Sequence, residues 1–130
     1  TEGFGDEVKR RIMLGTFVLS SGYHEAYFTK AQKIRRLIKD KTKEMFKDYD
    51  FVISPTTPHT PFAIGTKHSD PTIMYLEDIF TVQANLAGNP AISIPIDNHS
   101  NGISIGLHIM ADHFKESDLL AFSKFMIKEG

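Results

Sequence analysis

The chain has 130 residues with 15 Lys and Arg, 16 Asp and Glu, a net charge of −1, 41% hydrophobic residues, ten Phe and no Cys. That composition excludes a disordered or collagen-like chain, a disulfide scaffold, a thiolate nucleophile and a cysteine-ligated zinc site. A chain of this length should bury roughly two-thirds of the surface its unfolded form exposes, enough for one domain's core.

The longest near-apolar run, Ile12 to Leu19, falls well short of the roughly 20 residues that span a bilayer. The N-terminus has neither a basic nor an apolar leader region, so no signal peptide is expected, and the absence of cysteine agrees with a reducing, cytoplasmic setting. There is no initiator Met, which suggests a piece of a larger protein.

Residues 6–19 open with two acids and continue with Val8, Ile12, Met13, Phe17 and Leu19, which predicts a helix stopped near Ser20-Ser21-Gly22. Gly15 in its middle costs about 1 kcal/mol against Ala and predicts a backbone crossing there. From Tyr23 to Tyr49 the apolar positions 27, 31, 34, 38, 45 and 49 form one stripe of a long amphipathic helix. Lys33, Arg36, Asp40, Lys43 and Lys47 lie opposite, and eight of the fifteen basic residues fall between 30 and 47. A solvated face and a nucleic-acid face are both open readings.

Phe51-Val52-Ile53 reads as a strand ended by Ser54-Pro55-Thr56-Thr57-Pro58. The proline-rich stretch to residue 71 predicts an irregular loop. Asp70-Pro71 marks a helix start, and residues 72–87 predict two short helices broken near Phe80 and ended by Gly88-Asn89-Pro90. Ala91–Ile96 and Ile103–Met110, joined through Asn101-Gly102, predict a hairpin with Pro95 at an edge or strand end. A final helix is expected over about Glu116–Lys128, with Leu119, Leu120, Phe122 together with Ser123, Met126 and Ile127 on its apolar side. The whole is a mixed α/β layer with about three strands, a thin sheet for this many buried-type residues.

Several residues invite chemistry. Ser20 and Ser21 sit at a helix end, where capping competes with any nucleophilic role. His59, His68 and Asp70 share a loop without a local element to enforce metal geometry, and His108 and His113 fall on opposite sides of a strand. A helix that buries Val8 and Ile12 brings Arg10 or Arg11 to the edge of the core, where a guanidinium needs an acid from the protein or from a ligand. Asp78, at the end of an apolar stretch, has the complementary need, and residue types alone leave a structural ion pair and a ligand site both open.

The segments Phe4 to Thr16, Ser20-Ser21-Gly22-Tyr23 with Ala31-Gln32-Lys33, and Ser54 to Pro58 resemble the C-terminal portion of the amidase signature family, in its GatA branch of tRNA-dependent amidotransferases. So do Met74-Tyr75 with Asp78 to Thr81, Asn85 to Gly88, Pro90 to Ser93, and Gly102 with Ile105-Gly106-Leu107. The resemblance implies that residues 1–130 are a C-terminal portion of an amidase signature domain, a mixed sheet flanked by helices and incomplete in this fragment. It implies a parent that hydrolyses glutamine and supplies ammonia to convert Glu-tRNA(Gln) to Gln-tRNA(Gln), or Asp-tRNA(Asn) to Asn-tRNA(Asn).

The family's catalytic Ser-Ser-Lys segment has no counterpart here, so no catalytic residue is assigned and the chain alone is expected to be inactive. Arg11 aligns with the family's arginine for the α-carboxylate of glutamine, and Asp78 with the aspartate for its α-amino group. A guanidinium suits a carboxylate bidentately and a carboxylate accepts from an ammonium. Thr56 and Thr57 are weaker additions. Gln83, Asn89 and His108 stand where the family usually has Pro, Leu and Gln, and Gln83 is close enough in sequence to Asp78 to alter a pocket rim. The implied partners are the GatB and GatC subunits, free glutamine, and aminoacyl-tRNA through the complex, with no membrane. No cofactor or metal is expected in this chain; ATP and Mg²⁺ belong to the intact complex. A free-standing amidase of the same family, or a non-catalytic interaction module, are the alternatives.

Overall fold

The computed structural model describes residues 3–66, 72–100 and 102–129, the side chains of 128 and 129 excepted. The chain forms two compact units, Thr1–Leu37 and Ile38–Gly130.

In the first unit α1 spans Asp6–Leu19, with Asp6 and Glu7 in its first turn where acids complement the helix dipole. It stops where expected: Ser20 turns extended, its N–H and Oγ both donating to the Phe17 carbonyl. α1 buries none of its residues; Val8 and Ile12 are exposed, so the expected inward face finds no cover within the unit. The crossing expected at Gly15 is also not there, since a Cβ at that position would meet nothing within 4 Å.

The long helix predicted from Tyr23 winds first as a π-helix over His24–Thr29 and becomes α-helical as α2, Lys30–Met45, which runs through the boundary between the units. The wider turn is filled by aromatic rings: Tyr23 lies 4.3 Å from Phe17 and 6.0 Å from Tyr27, and His24 4.9 Å from Phe28.

In the second unit the buried register of α2 differs from the apolar stripe. Thr42 is fully buried, Ile38 and Phe46 are half-buried, and Met45 and Tyr49 are exposed. The four-residue spacing 38–42–46 therefore points inward. Threonine is tolerated there because its hydroxyl accepts from Gln83 Nε2 at 3.1 Å.

The sheet comprises β1 (Phe51–Pro55), β2 (Ala91–Asn98) and β3 (Ser104–Ala111) in the order β1-β3-β2, both pairings antiparallel. Pro55 and Pro95 sit on the two outer strands, where a missing N–H costs no ladder bond, and the register shifts between Pro95 and Asp97. The turn signal at Asn101-Gly102 is borne out at Gly102, whose N–H donates to His99 O at 2.7 Å; Asn101 lies outside the described residues.

Period two divides the sheet into two faces. Ile92, Ile94, Leu107 and Ile109 pack with Phe51 and Ala111 against Leu119, Phe122 and Met126 of α5, Glu116–Glu129. Phe51 stacks on Phe122 at 4.5 Å and 9°. Leu120 and Ile127, expected on that apolar side, are exposed. The inward row is Leu119, Phe122, Ser123 and Met126, and Ser123 is buried because its hydroxyl donates to the Leu119 carbonyl.

Between β1 and β2 the expected pair of short helices is present as α3, Thr72–Leu76, and α4, Val82–Ala87. Gly88 ends α4 in the left-handed conformation, φ 85°, which glycine adopts without a Cβ penalty. The helix start read at Asp70-Pro71 lies outside the described residues. Fold class is as the sequence indicates, mixed α/β with a small sheet.

Candidate functional site

The second face of the sheet is polar where the first is not. Ser54, His108 and Ser93 stand in one cross-strand row, and Thr56 follows Ser54 on the same face beside Gly106. Ser54 Oγ and His108 Nδ1 are 3.5 Å apart, and Thr56 Oγ1 and Ser93 Oγ 2.6 Å. The second bond joins the two outer strands above the central one, and Gly106 makes it possible. A Cβ there would lie 2.6 Å from Thr56 Oγ1, 3.0 Å from Thr56 Cβ and 3.1 Å from Ser93 Oγ. His108 is buried, which pushes its imidazole below the usual histidine range and keeps it neutral near pH 7.

Beyond this row lies a cleft of about 330 Å³ walled by Pro55 to Pro61 and closed by His99, Ser104, Ile105 and Gly106. Its loop is tied down at two points. Thr57 Oγ1 donates to the His59 carbonyl at 2.9 Å, and His59 Nδ1 meets Glu77 Oε1 at 3.0 Å. Glu77 is mostly buried and directly precedes Asp78, so this pair pins the cleft wall to the turn that carries Asp78.

Asp78 lies in that turn between α3 and α4, exposed at its side chain. Its carbonyl accepts from Thr81 N at 3.1 Å and Val82 N at 2.9 Å, and its own N–H donates to Tyr75 O at 3.3 Å. The backbone position is fixed without using the carboxylate, which has no partner among the described residues. Gln83, expected at the rim near Asp78, turns instead to Thr42 and ties α4 to α2.

Arg11 belongs to the first unit, on α1, with its Nε 2.9 Å from Glu7 Oε1 one turn earlier; Arg10 takes the other oxygen through Nε at 2.8 Å and Nη2 at 2.7 Å. The two guanidinium groups, Arg11 first, hold the Glu7 carboxyl below the usual carboxylate range. The acid that the sequence demanded for these arginines is thus on the same helix.

Ser20 is used in capping, as read from its position. His68 and Asp70 lie outside the described residues, His59 is engaged by Glu77, and no group of three His, Asp or Glu suited to a metal ion occurs among the described residues. The Thr56–Ser93 bond, the bare position at Gly106 and the His59–Glu77 pair were not expected from the sequence. Only the strand alternation hinted at the first two, by placing Ser93, Gly106 and His108 on one side of the hairpin.

The family model described as Amidase matches residues 1–120. The GatA-type component of the glutamyl-tRNA(Gln) amidotransferase of Halothermothrix orenii is 59% identical over 120 residues, covering 92% of this chain and 25% of that protein. The crystal structure of the corresponding protein of Thermotoga maritima is 50% identical, covers 90% of this chain and 25% of its own, and superposes with a TM-score of 0.70. The crystal structure of an amidase only 18% identical covers 98% of this chain with a TM-score of 0.76, a likeness of fold alone. The chain spans about a quarter of the length of the curated relatives it matches.

Proposed function

The chain belongs to the amidase family, and from that premise we propose that it is the glutamine-recognition portion of a GatA-type subunit. The observation supporting this reading is the 59% identity, across 92% of the chain, to a protein named as that component of glutamyl-tRNA(Gln) amidotransferase. In the reading, residues 1–130 form a C-terminal portion of an amidase signature domain. The full-length enzyme hydrolyses the side-chain amide of free glutamine, and the ammonia converts Glu-tRNA(Gln) to Gln-tRNA(Gln), or Asp-tRNA(Asn) to Asn-tRNA(Asn). It works in the cytoplasm as a ligase component with GatB and GatC, and aminoacyl-tRNA reaches it through that complex. ATP and Mg²⁺ serve the kinase step of GatB.

This chain's own part is to bind and orient. Arg11 takes the α-carboxylate of glutamine, for which its planar fork is the fitting donor, and Asp78 accepts from the α-ammonium. Asp78 suits that role because its turn is set by main-chain bonds, leaving the carboxylate to the ligand.

The test is kinetic. In the full-length enzyme, Arg11→Lys keeps the charge but loses the fork, and Asp78→Asn keeps the shape but loses the charge. Each should raise the glutamine KM at least 10-fold with the protein folded. A KM that neither substitution moves would refute the assignment.

A further inference from the structure

Main-chain bonds shape the turn that carries Asp78. Its N–H donates to Tyr75 O, its carbonyl accepts from Thr81 N, Val82 N and, at 3.3 Å, Thr81 Oγ1, and the Ile79 N–H donates to Leu76 O. All of these bonds lie between Tyr75 and Val82, so they set the form of the turn and not its distance from the sheet. Side chains on either side reach further. After the turn, Gln83 Nε2 donates to Thr42 Oγ1 on α2. Before it, Glu77 Oε1 meets His59 Nδ1 at 3.0 Å, across 18 residues of chain.

The second of these bonds has a fixed sense. The Glu77 side chain is 18% exposed against 63% for His59. A carboxylate so far withdrawn from water needs a donor, and because it only accepts, Nδ1 carries the proton and donates.

His59 is itself held firmly. It stands between Pro58 and Pro61, whose rings fix their own φ and restrict Thr57 and Thr60 before them. Its carbonyl accepts from Thr57 Oγ1. Three residues before His59 the loop is joined to the sheet, where Thr56 N–H donates to Gly106 O at 3.0 Å and Thr56 Oγ1 lies 2.6 Å from Ser93 Oγ. A short path of stiff links thus runs from β2 and β3 through Thr56, Pro58 and His59 to Glu77, one peptide away from Asp78.

We infer that His59 and Glu77 are positioning residues for Asp78: their bond fixes the Asp78 turn relative to the sheet, so that affinity for the α-ammonium of glutamine depends on two side chains that do not bind it. The inference rests on the glutamine reading of Asp78 and adds to it the pair that holds that residue in place.

The experiment measures glutamine hydrolysis by the full-length enzyme. His59→Phe keeps a ring and loses the bond; it should raise the glutamine KM about 3- to 10-fold, the range one hydrogen bond supplies, while kcat changes less than about twofold. Glu77→Gln keeps an oxygen acceptor for Nδ1 and should leave KM near its wild-type value. His59→Phe also strands a mostly buried carboxylate and lowers Tm. Adding Glu77→Ala removes that carboxylate, so the double variant should regain Tm yet keep the raised KM. In an Asp78→Asn background, His59→Phe should add less than about twofold to KM, because the residue it positions no longer reads the ammonium.

The inference is overturned if Asp78→Asn raises KM and His59→Phe does not, or if the two effects multiply in full. It is overturned as well if KM returns to normal together with Tm in the double variant, which would leave the pair a purely structural role. A KM that Asp78→Asn leaves unmoved refutes the glutamine reading of Asp78 itself, and the positioning role with it.

Discussion

Replacing Gly106 with alanine puts one methyl group where the structure has no room for it. The new Cβ would fall 2.6 Å from Thr56 Oγ1 and 3.0 Å from Thr56 Cβ, and β3 cannot yield because it is hydrogen-bonded on both sides. The Thr56 hydroxyl must move, so its 2.6 Å bond to Ser93 is lost. A lost hydrogen bond costs about 0.5–1.5 kcal/mol and overpacking about 1–3. Alanine's reduced freedom in the unfolded chain returns about 0.4–1 kcal/mol. The net cost is about 2 kcal/mol, or roughly 6–10 °C in Tm for a domain of this size. The assay is thermal and urea unfolding of wild type, Gly106→Ala, Thr56→Ala and the double variant. Since Thr56→Ala removes the nearest obstructing atom, Gly106→Ala should cost at least about 1 kcal/mol less in that background. Equal cost in both backgrounds, or no cost at all, would refute the steric argument.

Burial disfavours the charged form of His108, so the unfolded chain binds more protons than the folded one below the ordinary histidine pKa of about 6.5. Its contribution is fully present above that pH and is lost as pH falls toward the depressed native value. Tm should therefore drop more steeply between pH 7.5 and 5.5 for wild type than for His108→Gln, and parallel curves would contradict the burial account. Thr42→Val removes the acceptor of a half-buried amide and should destabilise by about 1–3 kcal/mol, whereas adding Gln83→Leu should restore most of the loss because no polar group is then left unpaired. Urea midpoints of the two variants decide this. The purified chain should release no ammonia from glutamine in a coupled dehydrogenase assay; measurable release would place reacting groups within these 130 residues.

Local signals carried much of the fold. Gly88, Gly102 and the hairpin's second strand are each specified within a few residues, and the structure has the helix stop and the turn where they were read and the strand one residue later, at Ser104–Ala111. Contacts between distant segments were not legible. β1 pairs with β3 across more than fifty residues, and only that pairing brings Ser54 to His108 and Thr56 to Ser93. Hydrophobicity also misread two helix faces, for one reason. Thr42 is small and its hydroxyl accepts from Gln83, and Ser123, read beside Phe122, donates to the Leu119 carbonyl, so both occupy buried positions while Met45, Tyr49, Leu120 and Ile127 stay outside. The close approach expected at one glycine is found at another: nothing comes near Gly15, whereas the Thr56 hydroxyl occupies the space above Gly106.

The proposed ligand residues come from the resemblance alone, and α1 shows why residue chemistry could not decide between them and a structural pair. A helix places residue i−4 beside residue i, so Glu7 satisfies Arg11 without any ligand. The same carboxylate is also held by two nitrogens of Arg10. In the proposed role, Arg11 would turn to a ligand carboxylate while Glu7 keeps a bidentate partner in Arg10, and the exchange would leave no acid unpaired. Losing that reserve should matter. In the full-length enzyme, Arg10→Gln ought to bind Glu7 more firmly to Arg11 and raise the glutamine KM, although Arg10 itself is not assigned to the ligand. A KM unchanged by Arg10→Gln, with Arg11→Lys still effective, would show that Glu7 and the ligand do not compete for the guanidinium.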